Sequence, residues 1–284
     1  MSMPGRLSVL LVVVAAALTA QAQVWIGRTE VGLTAGGMNY IGDLNGQTMT
    51  DKVNLAYGAF ARYNFNERVS LRFDVDYGHV EGGNPDRIVR RNLSFRSHII
   101  EGALRVEFNF FPFSQREDHF RWTPFLFGGF GFFGFNPQAW YEEKNAWYDL
   151  RPLSTEGQGT ALNPDVMPYN TMQLNFPFGL GVKYCPSKSI TLAAEYGFRK
   201  TWTDYLDDVS TTYVDNSELA RIKGSEAAAL ADRSGEVEEG YVNAAGIKRG
   251  DDSLDDWYAY FNISVSIKLD LIFGSMLKKK CDIR

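Results

Sequence analysis

The stretch Trp257–Phe273 reads WYAYFNISVSIKLDLIF. Trp257, Ala259, Phe261, Ile263, Val265, Ile267, Leu269, Leu271 and Phe273 lie on one side of an extended chain. Tyr258, Tyr260, Asn262, Ser264, Ser266, Lys268 and Asp270 lie on the other. Successive side chains of a strand point to opposite faces, so this period of two specifies a β-strand with one apolar and one polar face. The same alternation recurs upstream. In Val69–Tyr77, Val69, Leu71, Phe73, Val75 and Tyr77 oppose Ser70, Arg72, Asp74 and Asp76. In Ile100–Phe110, Gly102, Leu104, Val106, Phe108 and Phe110 oppose Glu101, Ala103, Arg105, Glu107 and Asn109. Ile190–Phe198 sets Ile190, Leu192, Ala194, Tyr196 and Phe198 against Thr191, Ala193, Glu195 and Gly197. Ile26–Met38, Leu55–Asn64, Pro124–Phe135 and Gln173–Tyr184 follow the pattern less cleanly, which brings the expected strands to eight. Gly128, Gly129, Gly131 and Gly134 thin the fifth of these, where a strand can bend or a large neighbour can lie against the backbone.

The connections alternate in length. Asn64–Glu67, Pro112–Trp122 and Cys185–Lys188 are short; Asn39–Asn54, Gly78–Arg96, Asn136–Met172 and Arg199–Asp256 are long. Short turns at one end and long loops at the other match outer-membrane barrels, with short periplasmic turns and long extracellular loops. An even strand number then puts both termini on the short-turn side. After the N-terminal segment no run of about 18 apolar residues occurs, so the chain has to span a membrane as a closed barrel if at all. The expected fold is all-β: a transmembrane antiparallel up-and-down β-barrel of about eight strands with long extracellular loops.

Residues 1–22 read as a signal peptide. Arg6 precedes the apolar run Leu7–Leu18, and Ala20-Gln21-Ala22 supplies a cleavage pattern. Residues 23–274 then form the barrel and 275–284 a periplasmic tail. The whole chain carries 29 basic and 34 acidic side chains; removing Arg6 leaves 28 against 34, a net −6. That balance offers no basic face for nucleic acid.

Which face meets lipid follows from the charges. Glu30, Arg72, Asp74, Asp76, Glu101, Arg105, Glu107, Glu195 and Lys268 fall on the lumen side, while Phe, Leu, Val, Ile and Tyr fall on the other. About eight strands leave a lumen just wide enough for side chains to fill, so these charges are expected to pair into a polar plug rather than line a pore. A soluble lipocalin-like barrel would reverse the faces. Tyr40, Tyr63, Tyr77, Trp122, Tyr184 and Trp257 near strand ends read as interfacial girdles and favour lipid outside.

Other features are local. Cys185 and Cys281 both fall on the periplasmic side, where a disulfide between them or two free thiols are the alternatives. Asp204, Asp207 and Asp208, then Asp251, Asp252, Asp255 and Asp256, are acid clusters whose spacing matches no known calcium loop; solvated loop charge is the expectation. Arg249-Gly250-Asp251 is a cell-attachment tripeptide by composition alone. His79 and His98, with Asp76, Asp86 and Ser97, are the nearest approach to a general-base site, without a nucleophile motif. No catalytic residue, cofactor or metal is expected. Ser217–Arg233 has helical character with Ser217 as cap.

Three segments go beyond generic barrel pattern: Asn39–Asn45 (NYIGDLN), Leu150–Gly159 (LRPLSTEGQG) and Tyr196–Ser210 (YGFRKTWTDYLDDVS). Together they resemble the PorG-like outer-membrane barrels of the type IX secretion system, over essentially the whole mature chain. The resemblance implies a non-catalytic membrane anchor for the periplasmic ring of PorK and PorN, and hence a part in protein transport. On this sequence, contact with ring proteins falls to the short turns and the tail, with Arg116, Asp118, Lys188, Lys278, Lys279 and Lys280 as candidates. The alternative is a small OmpA/OmpX-like barrel acting in adhesion or ligand binding through its outer loops.

Overall fold

The computed structural model describes residues 28–44, 52–84, 91–113 and 121–269. The signal segment, the tail with Lys278, Lys279, Lys280 and Cys281, and Arg116 and Asp118 lie outside the described residues. Nine strands form: β1 (Thr29–Ile41), β2 (Asn54–Asn64), β3 (Val69–Asn84), β4 (Leu93–Asn109), β5 (Trp122–Tyr141), β6 (Ala146–Asp149), β7 (Met172–Tyr184), β8 (Ile190–Thr201) and β9 (Trp257–Lys268). Their order is β4-β3-β2-β1-β9-β8-β7-β5-β6, and the pairing of β4 with β5 closes the sheet. Every pairing is antiparallel. The result is a closed eight-stranded barrel, with β6 as a hairpin arm that takes the edge of β5 above the point where β7 leaves it. Closure removes the unpaired edge that a membrane core does not tolerate. No described helix is long and apolar enough to cross a membrane; the crossing is left to strands, and each of the eight meets the roughly 9–11 residues a tilted strand needs.

The two faces sort as the alternation demands. Leu33, Phe73, Leu104, Phe130, Leu180, Ile263 and Val265 project outward and are exposed, Ile263 by 59%. Their inward neighbours Arg72, Arg105, Glu195, Asn262 and Ser264 are buried. A water-soluble barrel has the opposite arrangement, so the exterior belongs in hydrocarbon. Tyr63, Phe65, Trp122 and Tyr184 ring the short-turn end; Tyr57, Tyr77 and Trp202 ring the other.

At the level of the charged rows, three phenylalanines break the polar-inside rule. Phe60, Phe125 and Phe127 turn into the lumen. Phe127 lies against Gly179 and Gly197, and Phe125 against Gly181, where an added Cβ would come within 2.7 Å of a ring carbon. The glycines that weaken the alternation of β7 and β8 therefore make room for rings from β5. Gly197→Val should strain this packing by about 1–3 kcal/mol, measured as an earlier urea midpoint for loss of the heat-modifiable band.

The ends depart from the sequence reading. The strands β3, β4 and β5 run past Tyr77, Arg96 and Phe135, so the Gly78–Arg96 connection is largely paired β-structure. Gly78, Val80, Gly82 and Leu93, Phe95, Ile99 continue the inward row beyond the charged residues, as a largely apolar one. Val80, Phe95, Ile99, Phe133, Phe135 and Tyr258 pack there with Leu44, Leu150, Leu206, Val209 and Leu230 from the loops. The upper barrel is thus a hydrophobic core roofed by folded loops. Within the last loop, α1 (Asn216–Lys223) and α2 (Ser225–Ala231) replace one helix over Ser217–Arg233. The cap of α1 is Asp215, whose carboxylate accepts from the Glu218 amide at 2.9 Å, and not Ser217. Gly224, at φ 100°, breaks the segment in two.

Candidate functional site

Two polar constructions fill the axis of the molecule: an ion-paired plug in the lower lumen and a buried acidic cap over the long-loop end. The plug is set by register. Arg72 stands across from Arg105, and Asp74 lies two residues further on the same inward row of β3. Arg105 grips Asp74 with two nitrogens at 2.9 and 3.0 Å and reaches Glu195 at 3.1 Å. Arg72 contacts Asp74 at 2.7 Å, Glu195 at 3.2 Å and Glu107 at 3.4 Å. Arg62 bridges Glu30 at 3.1 Å and Glu107 at 2.8 Å, and Lys183 meets Glu107 at 2.6 Å. Arg199 approaches Glu101 at 3.5 Å, and Thr34 donates to Asp76 at 3.1 Å. The lumen phenylalanines stack on these cations: Arg72 lies 3.7 Å from the Phe60 centroid and Arg105 4.4 Å from that of Phe127.

Glu30, Arg72, Asp74, Asp76, Glu101, Arg105, Glu107 and Glu195 all sit in this lumen network. Sequence reasoning missed Arg62, Lys183 and Arg199. With them, the six carboxyls face five cations among the described residues. Paired buried charges are tolerated where unpaired ones are not.

The cap joins the three segments that carry the resemblance. From the third long loop, Glu156 is fully buried and accepts from the Ser210 and Thr211 amides at 2.8 and 3.0 Å, the Thr211 hydroxyl at 2.7 Å and Arg249 Nη1 at 2.9 Å. Thr155 and Tyr169 both donate to Asp208. From β1, the Tyr40 hydroxyl lies 2.7 Å from Asp207 Oδ2 and 2.6 Å from Asp256 Oδ1. Asp207 also accepts from the Val209 amide, and Asp256 from the Leu206 amide, each at 2.9 Å. Burial pushes the carboxyls of Asp204 and Asp207 up to about 8 and that of Asp208 up to about 6, and it raises Asp256 as well. Arg249, held by Glu156, opposes the rise at Asp207 and Asp208.

Several expectations change here. Tyr40 is a buried cap ligand and not a girdle residue. Asp204, Asp207, Asp208 and Asp256 are buried rather than solvated. Among the described residues, no group of three or more carboxylates, imidazoles or thiols is placed to hold a metal ion. Arg249 is buried against Glu156, so Arg249-Gly250-Asp251 is not displayed as an attachment loop. His79 and His98 face each other across β3 and β4 on the outer wall, while Asp76 and Ser97 point into the barrel. The strand alternation therefore separates the imidazoles from Asp76 and Ser97; Asp86 lies outside the described residues, and the carboxylate beside His79 is Glu81 at 3.6 Å. Cys185 is buried at the short-turn end beside Thr191; its proposed partner, Cys281, lies outside the described residues. Lys188 is exposed on the β7–β8 turn.

Replacing Glu156 with alanine should leave Arg249 buried without its main partner. The expected cost is about 3–5 kcal/mol to the cap, seen as rapid proteolysis within residues 202–256 while the barrel stays resistant.

An apolar exterior, a closed sheet and a side-chain-filled lumen define a small transmembrane β-barrel. The chain belongs to the family described as a domain of unknown function, DUF6089, whose model matches residues 5–152. No curated protein sequence matches it. Among solved structures, the N-terminal β-barrel domain of Pseudomonas aeruginosa OprF is similar at 11% identity, covering 84% of this chain and 97% of that one, with a TM-score of 0.34. Neisserial surface protein A is similar at 11% identity, covering 84% and 96%, with a TM-score of 0.40. The Yersinia pestis attachment invasion locus protein Ail is similar at 9% identity, covering 85% and 97%, with a TM-score of 0.39.

Proposed function

We propose that this chain is a non-catalytic barrel of the bacterial outer membrane that anchors a periplasmic protein assembly, the PorK/PorN ring of type IX secretion. The observation that carries the reading is that both ends of any route through the protein are closed by side chains. Ion pairs fill the lower lumen, and the folded loops roof the upper one. With no passage to serve, the lipid-facing wall and the short-turn rim are what the molecule offers a partner on its inner side. Lipid holds the wall; a protein bound to the rim is held to the membrane through it. The rim includes Lys188 on the β7–β8 turn and the β2–β3 turn, which is locked by Asn66 accepting from the Arg68 and Val69 amides at 2.8 Å each. The tail 275–284, with Lys278, Lys279 and Lys280, supplies further cationic contacts for an acidic partner.

Pull-down of the tagged protein from detergent-solubilised outer membranes tests this. Ring proteins should co-purify with the full chain and be lost when 275–284 is deleted, with export lost in the same cells. Unchanged co-purification and export after the deletion, combined with lost surface attachment after excision of the cap loops, would point to the adhesion alternative.

A further inference from the structure

The cap poses a problem of proton counting. A tyrosine hydroxyl has one hydrogen to donate. Tyr40 stands within hydrogen-bonding distance of two carboxyl oxygens, Asp207 Oδ2 and Asp256 Oδ1. Both contacts are satisfied only if one of the carboxyls carries a proton and donates it to the Tyr40 oxygen. A second observation points the same way. Asp204 is 9% exposed, and neither of its carboxyl oxygens has a well-formed hydrogen bond, although Ser210 stands beside it. An ionised carboxylate so placed is strongly disfavoured.

The surroundings do not supply the missing positive charge. Asp207 feels Asp43 from the first loop, and Asp204 feels Asp43, Asp207 and Glu156. Asp256 feels Asp207 and Asp204. Arg249 is the nearest cation, but it is committed to Glu156 and to the Asp208 carbonyl oxygen. Arg91 donates to the backbone carbonyls of Asp43 and Arg249, and Lys248 pairs with Asp251 at 3.1 Å near the surface. Tyr169 and Thr155 serve Asp208.

We propose that the cap is held shut by protons, one shared through Tyr40 between Asp207 and Asp256 and one carried by Asp204, and that it loosens as those protons leave. The sign follows from linkage. These groups hold protons in the closed cap that they release when the loops open to water. The contribution is fully present below the ordinary aspartate range and is lost progressively as pH rises; the part carried by Asp204 and Asp207 is gone above about 8, where the closed cap also releases their protons. Each retained proton makes the opening constant rise about tenfold per pH unit across that window.

Hydrogen exchange on the folded full-length protein in bilayer nanodiscs reads this directly. The probes are the Leu206 and Val209 amides, which donate to Asp256 and Asp207. After correction for intrinsic exchange, their opening constant should climb at least about tenfold per pH unit from pH 5 to 8. Amides in the middle of β8 should not change. Asp256→Asn and Asp207→Asn should each reduce that slope, and Asp204→Asn, away from Tyr40, provides a variant that leaves the shared hydroxyl in place. A flat wild-type profile overturns the proposal, as does a slope unchanged in all three variants. Opening at pH 5 on adding a chelator overturns it as well, because a bound cation would then be neutralising the cluster.

Discussion

Arg105→Ala is expected to be among the most damaging single substitutions in the barrel, costing about 3–5 kcal/mol. Arg105 is 1% exposed, holds Asp74 with two nitrogens, reaches Glu195, and stacks on Phe127. Removing it leaves two buried carboxylates sharing Arg72 alone. The penalty comes chiefly from the orphaned charge and not from the lost attraction. A double-mutant cycle separates the two. Arg105→Ala combined with Asp74→Ala should cost at least about 1 kcal/mol less than the sum of the single changes. Urea titration of the folded, heat-modifiable band in lipid vesicles measures all three. Additive costs would mean that the pair does not act as a unit.

The second large effect concerns the opposite face. Ile263 lies near the middle of β9, across from Ala35 on β1 and Ala194 on β8, and projects outward. Ile263→Arg should destabilise the inserted barrel by about 2–4 kcal/mol, the cost of a cation near the bilayer midplane. The same change at Tyr77, in the girdle near the long-loop end, should cost only about 0–1 kcal/mol. Equal costs at the two positions would mean that depth in the membrane does not set the penalty. Both values come from refolding into vesicles at several urea concentrations.

The barrel was legible because its signal is repeated. Val69–Tyr77, Ile100–Asn109 and Trp257–Lys268 each alternate cleanly, and each lies within one strand; Asp270–Phe273 lie outside the described residues. Closure was legible from the short and long connections. The cations of the plug were harder to read. Arg62 lies in a strand whose alternation is blurred by Ala56, Gly58, Ala59 and Ala61, and Lys183 in one thinned by Gly179 and Gly181. Arg199 read as the start of a loop. Yet Glu195, Gly197 and Arg199 keep the period of two, and extending it by one step places Arg199 in the lumen.

The cap was hidden for a different reason. Nothing in the spacing of Asp204, Asp207 and Asp208 distinguishes a solvated loop from a buried one. Burial here comes from segments far apart in sequence: Tyr40 from the end of β1, Glu156 from the third long loop and Arg249 from the far end of the last loop converge around these carboxyls. Local pattern carries no record of such convergence. The extended walls of β3, β4 and β5 were missed similarly, because inward residues above the plug change from charged to apolar and erase the contrast between faces.

The most direct test of the whole account is photolabelling of the vesicle-reconstituted protein by a carbene carried on a phospholipid acyl chain, mapped by mass spectrometry. Adducts should fall on Leu104, Phe130, Leu180, Ile263 and Val265, and Arg72, Arg105 and Glu195 should stay unmodified. Adducts on the charged rows, or none on the apolar ones, would contradict a barrel with lipid outside and ion pairs within.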